Sequence, residues 1–229
     1  MTANELEQLD KGHTVKNNTL ISRHLKIGTS AEAEKKTIIV LHGIGTDEDN
    51  LVPLIEYLNV PGNYYFLRGP LRYGPNGFAY FEVNFTAQGP AHNQKQAEES
   101  LIKIEEWINE KKSIGEISRD SKIIFMGFSQ GAIMSYAMAF SRPDLVDKVV
   151  GLNGRVLKEV EAKKPADPAK KIQINALYGL YDDIQPIHFG HEAKERFQKD
   201  WIELNYKEGA CAHEVTEESA AFARHALMS

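Results

Sequence analysis

Gly127-Phe128-Ser129-Gln130-Gly131 sets a hydroxyl between two residues that lack a Cβ. Ahead of it, Ile123-Ile124-Phe125-Met126 is an apolar run that reads as a buried strand, and Ala132 to Phe140 behind it reads as a helix of small and apolar residues. A strand and a helix that meet at one serine make a sharp corner. The backbone there is strained and pushes the side chain clear of the sheet, and the flanking glycines let the two elements nearly touch. The helix amino terminus favours negative charge developing beside Ser129. The chemistry this suits is nucleophilic attack on an electrophilic carbon.

A serine hydroxyl attacks poorly at neutral pH. It needs a base, usually histidine, and the base needs a carboxylate to fix its tautomer. Around such a corner the chain order is serine, acid, histidine, each on a loop beyond the carboxyl end of a strand. The strand expected over Ile172 to Tyr178 runs into Gly179-Leu180-Tyr181-Asp182-Asp183-Ile184-Gln185-Pro186, where either aspartate fits as the acid. The last expected strand, Trp201 to Tyr206, runs into Glu208-Gly209-Ala210-Cys211-Ala212-His213. Of the eight histidines, only His213 falls between that strand and the final helix, Thr216 to Met228, which makes it the candidate base.

Other constellations are weaker. His188 and His191, near Asp182 and Asp183, have ligand-like spacing for a metal. No third histidine joins them, and an i, i+3 pair is ordinary on a helix, so neither a metal nor an organic cofactor is expected. Cys211 lies near His213 but off the corner, and reads as a small buried or loop residue.

The elements that must position these groups alternate along the chain. Thr19 to Ile27 reads as an edge strand, and Thr37-Ile38-Ile39-Val40-Leu41 as a strand covered on both faces. His42-Gly43-Ile44-Gly45-Thr46-Asp47 follows it directly. A Gly-rich loop there can aim a backbone N–H into a cleft as half of an oxyanion hole. It can also be a tight turn in which Asp49 or Asn50 caps a helix over Leu51 to Leu58. His42 itself reads as structural. Tyr64 to Leu67 is a short strand, and Arg68 to Gln88 reads as a long Gly/Pro-rich aromatic loop without regular structure. Such loops are often functional, and Leu71, Tyr73, Phe78, Tyr80 and Phe81 are its candidate substrate-binding residues. Asn93 to Lys112 carries Ala97, Leu101, Ile104 and Ile108 on one stripe and reads as an amphipathic helix. Lys148 to Gly154 is a further buried strand and turn, Lys158 to Lys171 an exposed excursion, and His188 to Lys199 mostly helix. This alternation predicts an α/β fold: a mostly parallel sheet with helices on both faces.

With 229 residues, 42% of them hydrophobic, the chain is expected to form one domain over residues 1–229, with residues 1–18 as a polar lead-in. The net charge is -5, and no basic cluster argues for nucleic acid. A single cysteine allows no internal disulfide. Met1 to Gly12 lacks the apolar core of a signal peptide, and no run is long enough to span a membrane. A cytoplasmic protein without stable membrane insertion is expected; the sequence is silent on its oligomeric state.

On these residues the chain resembles the phospholipase/carboxylesterase family of α/β-hydrolases, which includes acyl-protein thioesterases and small bacterial carboxylesterases. The matching pieces are Leu41-His42-Gly43-Ile44-Gly45, the Asp49-to-Pro53 helix entry, Gly127-Phe128-Ser129-Gln130-Gly131-Ala132, the Gly179-x-x-Asp182-x-x-x-Pro186 turn, and Tyr206-x-Glu208-Gly209 leading to His213. The resemblance implies an α/β-hydrolase fold without a large lid domain. It also implies Ser129 as nucleophile, Asp182 as acid, since Pro186 follows it by four residues, and His213 as base. The N–H groups of Ile44 and Gln130 are then similar to the family's oxyanion hole. The chain departs from the family pattern in a longer path from Gly209 to His213, in Asp183 where proline is usual, and in Tyr80-Phe81 where a tryptophan-phenylalanine pair is common. The expected activity is hydrolysis of short- to medium-chain acyl esters through an acyl-enzyme. Lysophospholipid or acyl-protein thioester hydrolysis is the alternative, and a non-catalytic small-molecule binder is a third reading.

Overall fold

The computed structural model describes residues 20–33, 36–86 and 89–229. The expected lead-in over residues 1–18 lies outside them, as do Thr19 and Gln88. In chain order the elements are β1 (Ser22–Ile27), α1 (Ser30–Ala33), β2 (Lys36–Leu41), α2 (Val52–Leu58), β3 (Gly62–Leu67), β4 (Leu71–Tyr73), β5 (Gly77–Ala79), β6 (Val83–Thr86), β7 (Gly89–His92), α3 (Gln94–Ser113), β8 (Lys122–Phe128), α4 (Gln130–Ser141), β9 (Lys148–Leu152), β10 (Ile172–Gly179), α5 (His188–Arg196), β11 (Ile202–Gly209) and α6 (Glu217–Met228).

Seven strands form the central sheet in the order β1-β3-β2-β8-β9-β10-β11. β1 runs antiparallel to β3, and the other pairings are all parallel. The apolar runs at its centre follow from burial on both faces. Along β8, Ile123 and Phe125 join one core while Ile124 and Met126 join the other. β2 divides in the same way, with Ile39 and Leu41 on one side and Ile38 and Val40 on the other. Side chains alternate between the faces of a strand, so a strand covered on both sides is apolar on both; the hydroxyl of Thr37, the exception in β2, lies 2.7 Å from Ser121 Oγ. The larger core lies under α3, α4 and α5 and takes in Trp107, Tyr136, Phe140, Ala193 and Phe197. The smaller lies under α2 and α6, with Ile55, Leu58, Phe222 and Leu227. Burying each large side chain of this kind stabilises the fold by about 1.5–3 kcal/mol relative to leaving it exposed. At the amino ends of the strands, Lys36 Nζ donates to Leu227 O, and Lys148 Nζ to Ala226 O and Ser229 Oγ, tying the end of α6 to β2 and β9.

Two expectations from the sequence are corrected. The stretch from Arg68 to Gln88 is not an irregular loop: β4 pairs with β5, and β6 with β7, as two antiparallel hairpins. The first is tied to the loop after β2, since Gly45 N–H donates to Phe78 O and Phe78 N–H to Thr46 O. Neither Asp49 nor Asn50 caps α2. The residue at that position is Leu51, with no side-chain cap, and Pro53 occupies the first turn, where its missing N–H costs nothing. The Asp49 carboxylate is instead 2.8 Å from Arg23. The caps of α3 and α6 are as the residue types suggest: Asn93 accepts from Gln96 N–H, and Thr216 and Ser219 bond reciprocally.

The close approach at the β8–α4 corner makes its glycines obligatory. A Cβ at Gly131 would stand 1.9 Å from Leu41 O, and one at Gly127 would stand 2.2 Å from Gly131 C. Both clashes are with backbone, which cannot swing aside. Gly131→Ala should therefore cost about 3 kcal/mol, read as a lower urea midpoint with an unchanged slope.

Candidate active site

Ser129 sits at the corner with φ 54° and ψ -119°, a conformation that L residues rarely adopt. Its N–H donates to Leu152 O at 2.9 Å, so β9 holds the corner in place. The strain is sustained by this bond and by the close contact of α4 with the end of β2. The side chain emerges beyond the carboxyl end of β8.

Two further loops meet it there. His213, beyond β11, has Nε2 at 2.8 Å from Ser129 Oγ, and its Nδ1 is 2.7 Å from Asp182 Oδ2. Asp182 is the aspartate that reaches the histidine; Asp183 next to it is exposed. The Asp182 side chain is fully buried. Its other oxygen accepts from Ile184 N–H at 2.9 Å and from Gln185 N–H at 2.7 Å. Those two donors fix the plane of the carboxylate. With the carboxylate accepting, Nδ1 carries the proton and Nε2 is left free to accept from the serine hydroxyl.

The acid and histidine loops are stitched together by backbone. Leu180 N–H donates to Gly209 O and Tyr181 N–H to Cys211 O. Asn153, beyond β9, donates from Nδ2 to Ala212 O at 2.8 Å, one residue before the histidine. Asn153 has a positive φ of 51°. The sequence did not single it out, and an Asn-Gly pair after a buried strand is the one signal that could have found it. Cys211 is buried, its carbonyl accepts from Tyr181 N–H, and burial pushes its thiol above the ordinary range.

The N–H of Gln130 is the first of α4 and has no partner within that helix. Among the described residues neither it nor the N–H of Ile44 donates to a backbone acceptor. The loop carrying Ile44 lies against the corner, since a Cβ at Gly43 would stand 3.7 Å from Ser129 Cβ. His42 sets the direction of that loop. Gly69 N–H donates to its Nε2 at 2.9 Å, so the proton is on Nδ1, which faces Gly43 O at 2.7 Å. Thr46 Oγ1 donates to the same carbonyl at 2.8 Å. In a trans peptide the C=O and the following N–H point opposite ways, so fixing Gly43 O inward turns Ile44 N–H outward. The structural role expected of His42 is thus joined by Thr46, which the sequence did not suggest.

This arrangement has a pH signature. Burial lowers the pKa of His42 from its ordinary 6.5, against the pull of its bond to Gly43. The unfolded chain then binds the proton more readily than the folded one. Stability should fall as pH drops below about 6.5, when a charged imidazole would also lose its bond from Gly69 N–H. Urea unfolding at pH 7.5 and 5.5 should show a smaller drop in His42→Gln than in the unaltered protein.

The five candidate substrate-binding residues do not form one wall. Tyr80 and Phe81 are fully buried. Gln130 holds them there: its Oε1 accepts from Tyr80 N–H and its Nε2 donates to Phe81 O, both at 2.8 Å. Tyr80 also donates its hydroxyl to Leu67 O. These two belong to the core, and the side chain of Gln130 is a third positioning group missed in the sequence. The Phe78 ring is covered by the guanidinium groups of Arg68 and Arg72, 4.4 and 5.5 Å from its centroid. Leu71 is half-buried and Tyr73 exposed. Tyr73 lines a cavity of about 680 Å³ with Gly45, Thr46 and Asp47, immediately beyond Ile44. Among the described residues no group of three or more His, Cys, Asp and Glu could hold a metal ion, and no helix is long and apolar enough to cross a membrane.

A family model described as phospholipase/carboxylesterase matches residues 22–228. Among curated proteins, acyl-protein thioesterase 1 of Kluyveromyces lactis is 29% identical over 188 residues, which are 76% of this chain and 82% of the relative. Among solved structures, a carboxylesterase from Mesorhizobium loti aligns with a TM-score of 0.76 at 21% identity, covering 93% of this chain and 97% of its own. A carboxylesterase from Bacillus cereus aligns at 0.78 and 16% identity, covering 92% and 94%. At these identities the two structures establish the fold, an α/β-hydrolase.

Proposed function

The chain belongs to the phospholipase/carboxylesterase family and is an ester-hydrolysing enzyme, and from that premise we propose that it cleaves short- to medium-chain acyl esters with Ser129 as nucleophile. The observation that carries the assignment is the continuous pair of contacts from Ser129 Oγ to His213 Nε2 and from His213 Nδ1 to Asp182 Oδ2, 2.8 and 2.7 Å long. His213 takes the serine proton as Oγ attacks the ester carbonyl. The oxygen that becomes negative rests on the N–H groups of Ile44 and Gln130, each contributing about 3–4 kcal/mol to the lowered barrier. His213 passes its proton to the departing alcohol. Water, activated by the same imidazole, then releases the acid from Ser129. Asp182 keeps Nδ1 protonated and offsets the charge of the imidazolium.

The acyl preference rests on the space beyond the oxyanion loop. Tyr73 offers apolar surface on the wall of the 680 Å³ cavity, which is open to solvent. A thioester reading is favoured by the thioesterase name of the yeast relative, and the same residues would perform it, since only the leaving group differs.

The test is incubation with a fluorophosphonate, followed by intact mass, peptide mapping and a p-nitrophenyl ester series. One adduct on Ser129 and a rate that peaks at short or medium chains is the expected result. A rate that climbs steadily with chain length would overturn the acyl preference. A folded sample that takes up no adduct would overturn the triad and favour a binder.

A further inference from the structure

Arg155 is two residues beyond Asn153, on the segment that leaves β9 at the same end of the sheet as Ser129. It is 8% exposed. Its guanidinium has no hydrogen-bond acceptor and no carboxylate within ion-pair distance among the described residues, although five N–H donors are available there. The Phe189 ring lies beside it, with its centroid 5.1 Å from Cζ. Burial without a paired anion pulls its pKa down from the ordinary value, opposed only by the more distant Glu159 and Glu192. Its nitrogens are not sealed from solvent, so the unpaired charge is left facing the adjoining space rather than a protein anion.

Arg155 lines an open cavity of about 460 Å³ bordered by three segments: the end of β7, the stretch after β9 and the start of α5. Both carboxylates on its wall are already taken. Glu159 is 3.1 Å from His92, and Glu192 is 3.0 Å from Lys158. His188 adds a further nitrogen-bearing ring to the lining. What remains uncompensated is a planar cationic fork facing open space, and its complement is an oxyanion with two coplanar or near-coplanar oxygens.

We infer that Arg155 is the anchor of an anion-recognising subsite, so that the preferred esters carry a carboxylate or phosphate group in addition to the bond that is cleaved. This rests on the ester-hydrolase reading above and narrows its substrate class. The neutral end of such a substrate lies at Ser129, and its anionic end displaces water from the Arg155 cavity. Discrimination should then be in binding, because the anion is remote from the atoms that react. Each hydrogen bond to a charged group at such a site is enough to change affinity about tenfold or more.

The experiment compares methyl hydrogen glutarate with methyl butyrate by pH-stat in the unaltered enzyme, Arg155→Met and Arg155→Lys. Glutarate and inorganic phosphate are run as inhibitors to distinguish a carboxylate from a phosphate. The unaltered enzyme should favour the anionic ester. Arg155→Met should lower the anionic-to-neutral ratio of kcat/KM about tenfold or more, through KM, and Arg155→Lys should retain part of it. Arg155→Met should also melt no lower than the unaltered protein, and glutarate or phosphate should raise the melting temperature of the latter alone. A purely structural arginine predicts the reverse: a lower melting temperature in Arg155→Met and an unchanged ratio, which would overturn the subsite. If Arg155→Met does not fold, equal ratios in Arg155→Lys and the unaltered enzyme would do the same. Should neither ester be hydrolysed while Ser129 still labels, the substrate reading fails, and the anion-induced melting shift decides the subsite separately.

Discussion

Ser129→Ala should lower kcat on a p-nitrophenyl ester by about 10⁴-fold or more while leaving the melting temperature nearly unchanged. The second half of that expectation follows from the corner. Alanine keeps a Cβ and so inherits the same strained φ of 54°, and the contact of Gly131 with Leu41 is untouched. What disappears is the Oγ that His213 Nε2 faces at 2.8 Å. On the proposed mechanism, activity that survives comes from the Ile44 and Gln130 N–H groups stabilising the oxyanion formed when water attacks the ester directly. For that reason His213→Ala added to Ser129→Ala should cost little more, because groups that work as one unit are not additive. Steady-state kinetics on the two single variants and the double variant, with melting curves alongside, check it. A Ser129→Ala protein that turns over near the unaltered rate would remove the nucleophile assignment, and a full multiplicative loss in the double variant would mean that His213 serves another group.

The sequence made the centre of this molecule legible and its margins less so, for reasons that can be assigned to particular residues. β2 and β8 are apolar at nearly every buried position, Thr37 being the polar exception, because both faces are covered, so composition alone marks them as central. The order of Ser129, Asp182 and His213 was readable because each follows a long strand. The two hairpins between Arg68 and His92 were not: strands of three or four residues carry almost no periodicity, and their Gly and Pro content resembles a loop. Tyr80 and Phe81 read as a cleft wall since aromatic residues near glycine suit one. Their burial depends on Gln130, fifty residues away, a contact that no local pattern contains. The unpaired state of Arg155 was equally invisible, because it is defined by which carboxylates fail to reach it.

The choice between Asp182 and Asp183 offers the second large effect. Asp182→Asn should reduce kcat by about 10⁴-fold, and Asp183→Asn should leave it near the starting value. The asparagine is the same size, and its carbonyl oxygen can keep the bonds from Ile184 and Gln185 N–H that the carboxylate accepts now. Those donors oblige the amide nitrogen to take the place of the oxygen 2.7 Å from His213 Nδ1. An N–H there requires Nδ1 to accept, which moves the imidazole proton to Nε2. Nε2 then points a hydrogen at Ser129 and cannot take its proton, so the loop geometry survives and the base is lost. Asp183 is exposed and has no such hold on the ring. The pH–rate profile separates this from simple loss of charge: with the wrong tautomer fixed, activity in Asp182→Asn should recover only as hydroxide takes over the role of the base, rising with pH instead of levelling off. Equal losses in the two variants would mean that the fixed orientation of Asp182 contributes nothing beyond local negative charge.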